Sequence, residues 1–276
     1  MENIQVNLHC HTERCKHAEG KVRDYCRKAV EQGLKILGIS DHSPFPDNRL
    51  SSIKMQYGEL EEYRQEIEDA RAEFPELTIL AGLEVDYDED YPLEFYQREF
   101  KERLDLDYLI TGVHFVRDAS GKYVFPGCNA HVSMEIVRKF IDKTLFLLKS
   151  GIFEFMAHPD MIGASIDRWT PEVEELFSQV IQTSIDCKMP LEINAYGLRK
   201  PMYDYLDGRR HLYPWRRFWE LAAKAGIPCV ISSDAHKPED VCGNMPEVFS
   251  LAKELGIPCI NAAIAENIIK RRKQQE

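Results

Sequence analysis

Short apolar runs alternate with longer amphipathic stretches along nearly the whole chain. The run at 35–42, Lys-Ile-Leu-Gly-Ile-Ser-Asp-His, is apolar at its centre and ends in two polar residues. The same punctuation returns at 78–84, 107–114, 153–158, 190–194 and 227–236, and each of these runs reads as a buried strand. Between them, helical periodicity predicts helices over 22–33, 57–74, 92–103, 131–149, 171–187, 214–225 and 246–255. Gly33 and Pro75 stop two of these helices, and Pro171 suits a first helical turn. The phrase Gly-Ile-Pro-Cys occurs at 226–229 and again at 256–259, so two helix-to-strand joints share one design. Strands alternating with helices imply serial βα units and a mainly parallel sheet.

Polar residues gather at the C-terminal ends of these strands. They are His9 and His11, Asp41 and His42, Glu84, His114, His158, Asn194, then Asp234 and His236. The opening strand, Asn7-Leu8-His9-Cys10-His11-Thr12, carries two of them. Side chains alternate along a strand, so His9 and His11 project together while Cys10 faces the other way, into packing. His17 follows in the next loop. An open doubly wound sheet collects its site at one crevice, whereas a barrel of parallel strands brings every strand end to one face. Chemistry on nearly every strand favours closure, so the expected fold is α/β, a distorted (β/α) barrel with its site at the strand C-termini. No linker or low-complexity tract divides residues 1–276, which are expected to form one domain.

Composition narrows the partners. A net charge of −11 and a pI near 5.4 argue against general nucleic-acid binding, which needs a basic stripe. No apolar stretch approaches the roughly 18 residues that span a bilayer, and no apolar run follows Met1, so the expectation is a cytoplasmic protein without a membrane partner. The eight cysteines contain no Cys-x-x-Cys pair, which speaks against a zinc ribbon or a redox motif. Cys15, between His11 and His17, is the one that could join a metal site.

All nine histidines but His131 and His211 belong to the strand-end set. Packing histidines would fall on helices and loops as often as on strand ends. With Glu84 and Asp234, the ligand candidates are His9, His11, His17, His42, Glu84, His114, His158, Asp234 and His236. One zinc takes three or four protein ligands, so this number suggests two or three ions. Imidazole and carboxylate without thiolate suit Zn, Mn or Fe.

These residues resemble the four motifs of the PHP (polymerase and histidinol phosphatase) superfamily: His9-x-His11 with His17, Asp41-His42 and Glu84, His114 and His158-Pro159, and Asp234-x-His236. Three further phrases, Gly-Ile-Ser-Asp-His (38–42), Gly-Leu-Glu-Val-Asp-Tyr (82–87) and Ile-Asn-Ala-Tyr-Gly-Leu-Arg (193–199), are similar to histidinol-phosphate phosphatases. The resemblance implies a distorted seven-stranded, TIM-like barrel with a trinuclear centre. It also implies one ion on His9, His11, Glu84 and Asp234, a second on Glu84, His114 and His158, and a third on His17, His42 and His236. Asp41 is left as a residue that orients a ligating ring. Glu84, Asp234 and His236 are then the expected catalytic residues.

Such a centre suits hydrolysis of a phosphate ester, in which water supplies the nucleophile and the ions take up phosphoryl charge. No Gly-x-Ser-x-Gly elbow or Walker lysine motif offers another route. Arg168 and Arg199 each follow a strand and are expected to grip phosphate. Phe115, Trp169 and Tyr196 are candidates to wall a substrate ring. The resemblance implies hydrolysis of L-histidinol phosphate in histidine biosynthesis, with a nucleotide or another small phosphomonoester as the alternative substrate. A non-catalytic metal-binding regulatory partner is the alternative from another class. The oligomeric state is left open.

Overall fold

In the computed structural model, which describes residues 5–275, the chain opens with β1 (Val6–Asn7), α1 (Val22–Glu31), β2 (Ile36–Ile39), α2 (Leu60–Glu73) and β3 (Thr78–Val85). A short helix, α3 (Leu93–Tyr96), widens into a π-helical stretch (Gln97–Arg103) before β4 (Tyr108–Thr111). Then come the hairpin of β5 (Val116–Arg117) and β6 (Tyr123–Val124), the helices α4 (Met134–Leu148) and α5 (Pro171–Cys187), and β7 (Leu191–Asn194). A second hairpin, β8 (Tyr203–Tyr205) and β9 (Gly208–Arg210), precedes α6 (Arg216–Lys224), β10 (Cys229–Ser232), α7 (Met245–Leu255) and α8 (Asn261–Gln275). No helix of the described residues is long and apolar enough to cross a membrane.

The parallel sheet runs β1-β2-β3-β4, and β7 pairs in parallel with β10. Met156 joins the two parts, since it bridges Thr111 on one side and Leu191 on the other. The predicted strand at 153–158 thus shrinks to one bridging residue, although Glu154 N still donates to Leu109 O (2.9 Å) and Met156 N to Pro190 O (2.9 Å). A bridge from Cys10 to Ala235 leads from β10 back to the chain after β1, so the sheet curls strongly. Side-chain amides sew this last seam: Asn261 accepts from Ile231 N (2.8 Å) and donates to Ile231 O (2.6 Å) and Val6 O (3.3 Å).

Two apolar layers follow from strand alternation. The outer one, including Leu37, Ile39, Ile79, Ala81 and Leu83, packs against α1 and α2 through Tyr25, Tyr63 and Ile67. The inner one holds Val6, Leu8, Leu80, Tyr108, Ile110, Phe155 and Val230, and α8 closes it with Ala265 and Ile268. Tyr108 fits inside only because Gly82 has no side chain, for a Cβ there would stand 2.5 Å from its ring. Its hydroxyl is satisfied by Leu8 O at 2.8 Å. Leu8 lies in the inner layer and Cys10 in the outer, so the strand slips phase between them, which is why regular β1 ends at Asn7. Sequence periodicity did not foresee α8 or either hairpin. The hairpin strands of two or three residues are too short to show a period, and the charged end of α8 hides its few apolar positions.

Candidate metal centre

The slip after Leu8 turns His9 and His11 inward together, with their Nε2 atoms 3.0 Å apart. Glu84, near the end of β3, brings Oε2 to 3.4 Å from both nitrogens. Asp234, beyond β10, brings Oδ1 to 3.1 Å from His11 Nε2 and 3.6 Å from His9 Nε2. Ligands bonded tetrahedrally to zinc at about 2.0–2.1 Å stand about 3.3 Å from one another, close to these five separations. Glu84 Oε2 and Asp234 Oδ1 are buried and accept no hydrogen bond within the described residues, as expected of oxygens shaped to face a cation. The donors present therefore fit a divalent ion.

The other oxygen of Glu84 lies 2.9 Å from His158 Nε2 and 3.7 Å from His114 Nε2. Space for this junction depends on Gly112, where a Cβ would stand 2.5 Å from His158 Cε1 and 2.8 Å from Glu84 Oε1. His17, His42 and His236 form a third group whose ligand atoms lie within 4.8 Å of one another. His158 and Asp234 both have positive φ, 30° and 50°. Non-glycine residues in such backbone cost about 1–3 kcal/mol, a strain that tends to collect at functional sites.

Protonation is divided across the cluster: against burial, carboxylates raise His9, His158 and His42, the last to about 9, while other rings are held neutral. Burial, followed by the neighbouring His42 and His236, holds His11 well below the ordinary imidazole value. His17 is lowered to about 4 by burial and by His42, and His236 to about 3 by burial, which outweighs the pull of Asp234. For Glu84, burial works against ionisation, but His114, His9 and His42 prevail and keep its carboxyl well below the usual range. The cluster forms the floor of a cavity of about 580 Å³ walled by Ile53, Phe115, Phe125, Met161, Tyr196, Tyr203, Leu212 and Tyr213.

Every predicted ligand is thus brought to one place, and Cys10 faces away, its thiol against Asn7 Nδ2 (2.9 Å). Phe115 and Tyr196 do wall the cavity, whereas Trp169 stacks on Phe177 outside it. Both arginines need correction. Arg168 is exposed and lines no part of the cavity. Arg199 turns from the cavity and donates to the carbonyls of Gly243 (2.7 Å), Ser233 and Asp234 (3.0 Å), because the chain leaving β10 has carbonyls without strand partners there. Asp41 also departs from expectation. Among the described residues its carboxylate makes no hydrogen bond to an imidazole but accepts from Thr12 N (2.7 Å), Thr12 Oγ1 (2.8 Å) and Cys15 Sγ (2.8 Å), and so fastens the loop after β1. Cys15 in turn lies 3.3 Å from His11 Nδ1, so Asp41 reaches a ring only through that thiol.

Two carboxylates went unnoticed in the sequence. Glu192 Oε1 is 2.8 Å from His9 Nδ1, and Asp86 Oδ1 is 2.5 Å from His114 Nδ1. Each was detectable as an acid inside an apolar strand or one alternation past Glu84. Two lysines in the cavity were missed as well. Lys54 is paired with Asp86, and Lys200 donates to Tyr196 Oη at 2.7 Å, while the Tyr196 ring stacks on His236 at 4.5 Å.

The PHP domain family model matches residues 7–196, which carry the ligand candidates from His9 to His158. The chain belongs to the PHP domain family. A PHP-associated model matches residues 215–243, which carry Asp234 and His236. Among relatives of this PHP chain, the Bacillus subtilis protein named "Histidinol-phosphatase" is 26% identical over 265 residues, covering 84% of this chain and 94% of the relative. A Deinococcus radiodurans protein named "Probable histidinol-phosphatase" is 27% identical over 256 residues, covering 90% and 92%. The fold is shared with a histidinol phosphate phosphatase from Lactococcus lactis, solved with zinc, L-histidinol and phosphate, at a TM-score of 0.67 and 18% identity, over 92% of this chain and 95% of that one.

Proposed function

We propose that this PHP protein is a metal-dependent phosphomonoesterase that hydrolyses L-histidinol phosphate to L-histidinol and phosphate. The observation that carries the reading is the set of four donors on His9, His11, Glu84 and Asp234 at the base of an open cavity, two of them buried carboxylate oxygens that face imidazole nitrogens and accept no hydrogen bond among the described residues. In this reading Glu84 is shared with an ion on His114 and His158, and His17, His42 and His236 hold a third, with Zn, Mn or Fe as the candidates. Bound ions would lower the pKa of water toward neutrality and offset phosphoryl charge. The chain's own part is to orient these donors, through Glu192 on His9 and Asp86 on His114. Lys200 takes over the anion-binding part that Arg168 and Arg199 do not play. The same reading takes the chain as one cytoplasmic metallophosphatase unit, a distorted seven-stranded barrel.

One observation favours a second reading, a different small phosphomonoester. Among the residues lining the cavity, the carboxylates Glu84, Asp86 and Asp234 all belong to the cluster, which leaves tyrosines and apolar walls, without a free carboxylate, to meet the rest of a substrate. The deciding experiment is a panel of phosphomonoesters assayed with protein reconstituted with Zn, Mn or Fe. Preference for histidinol phosphate over nucleotides is expected, preference for another ester would install the second reading, and metal-loaded protein inert on every ester would leave only a binding role.

A further inference from the structure

Lys54 is an unusual cavity residue: a lysine with a side chain 1% exposed, on the irregular segment between β2 and α2. An ammonium so placed is costly unless paired, and its partner is Asp86 Oδ2. Asp86 stands one strand alternation beyond Glu84, so the two carboxylates face the same cluster. The other oxygen of Asp86 holds His114 Nδ1 at 2.5 Å, and Oδ2 lies 3.4 Å from His42 Nδ1. Left alone, a carboxylate there could pivot toward a cation held by Glu84 and compete with the imidazoles. Tied to Lys54, it is kept back as a support for the His114 ring. The segment that carries Lys54 also supplies Ile53 to the cavity wall, so the ion pair joins that wall to the cluster.

We infer that Lys54 is a positioning residue that acts through Asp86 to set the ring of His114, and thereby the affinity of the ion shared by Glu84 and His114. The inference rests on the metal reading proposed above. His114 donates Nδ1–H to Asp86, which leaves Nε2 as the free lone pair aimed toward Glu84. Lys54 fixes the rotamer of Asp86 that makes this donation possible.

The test is a double-mutant cycle read by metal affinity, with zinc titrated against a competing chelator, and by the visible spectrum of cobalt-substituted protein. Lys54→Met should weaken one ion tenfold to a hundredfold, the usual scale for a partner behind a ligand, and alter the cobalt spectrum. Asp86→Asn should do the same. The double variant should be little worse than Asp86→Asn alone, because the contact from Lys54 to His114 runs through Asp86. Parent-like affinity and spectrum in Lys54→Met, or losses that add in full, would overturn the inference. Should Lys54→Met fail to fold, Lys54→Gln keeps a donor without the charge. A loss of at least tenfold is expected there too, and unchanged affinity overturns the proposal. A parent that binds no ion would instead overturn the metal reading itself.

Discussion

Glu192 shows how one residue's neighbourhood fixes another's task. Its side chain is fully buried on β7, and it accepts from His158 N (2.9 Å) and Asn194 Nδ2 (2.8 Å) with the oxygen that does not face His9. With both oxygens committed, the carboxylate cannot rotate, and His9 keeps Nε2 toward His11, Glu84 and Asp234. Burial works against a charge on His9, but Glu192, Asp234 and Glu84 together hold its pKa well above the ordinary value. A proton on His9 competes with a cation, so what Glu192 contributes is the fixed ring orientation, and replacing it by Gln should loosen the ion at His9 and His11 by about tenfold to a hundredfold. Metal titration of the purified variant checks it, with Cys10→Ala as a control that should retain its metal. Glu84→Gln should be harsher, since Glu84 serves two groups of imidazoles through different oxygens. Turnover should fall by at least a hundredfold with metal content reduced by more than one ion, and an unchanged rate would remove Glu84 from the site.

At the scale of elements, the site depends on the irregular chain beyond each strand as much as on the strands. Arg199 illustrates this. The 3-10 turn Tyr196–Arg199 follows β7 and places a guanidinium under the chain that leaves β10, where it collects the carbonyls of Ser233, Asp234 and Gly243. Arg199→Ala should then cost stability, about 2 kcal/mol for charge-assisted bonds of this kind. It should also lower metal content through Asp234, whereas a phosphate-gripping arginine would change KM alone. Arg199→Lys should rescue little, because a single ammonium cannot span three carbonyls. Melting curves and metal analysis of the two variants distinguish these outcomes. The sequence made the βα order and the ligand types legible, because apolar runs ending in His, Asp or Glu repeat visibly. It did not show where side chains at the ends of irregular turns point. That direction depends on which backbone carbonyls the fold leaves unpaired, as at Ser233 and Asp234, and on buried acids such as Asp86 that look like ordinary polar neighbours until the strands assemble.

Across the whole molecule, the curled sheet gathers side chains that repel or strand one another unless a cation lies among them. His9 through His236 form a chain of ring contacts, with His11 4.4 Å from His42 and 4.5 Å from His236 between centroids. The carboxylates Glu84, Asp86, Glu192 and Asp234 share the same buried space, and among the described residues Lys54 is the one buried lysine or arginine that opposes them. Positive ions are the economical counterweight, so folding and metal binding should be coupled. An ion present at a hundred times its dissociation constant stabilises the folded state by about 2.7 kcal/mol. For a chain of this size each kcal/mol moves the melting temperature by about 2–4 °C. Stripping the ions with a chelator should accordingly lower the melting temperature by at least about 5 °C, and adding back Zn or Mn should restore it in a concentration-dependent way. Lys54→Met should melt with a smaller metal-dependent shift than the parent, since the ion it supports binds more weakly. A melting temperature indifferent to chelator and metal alike would mean that the buried charges are balanced without ions, and the metal reading would fall with it.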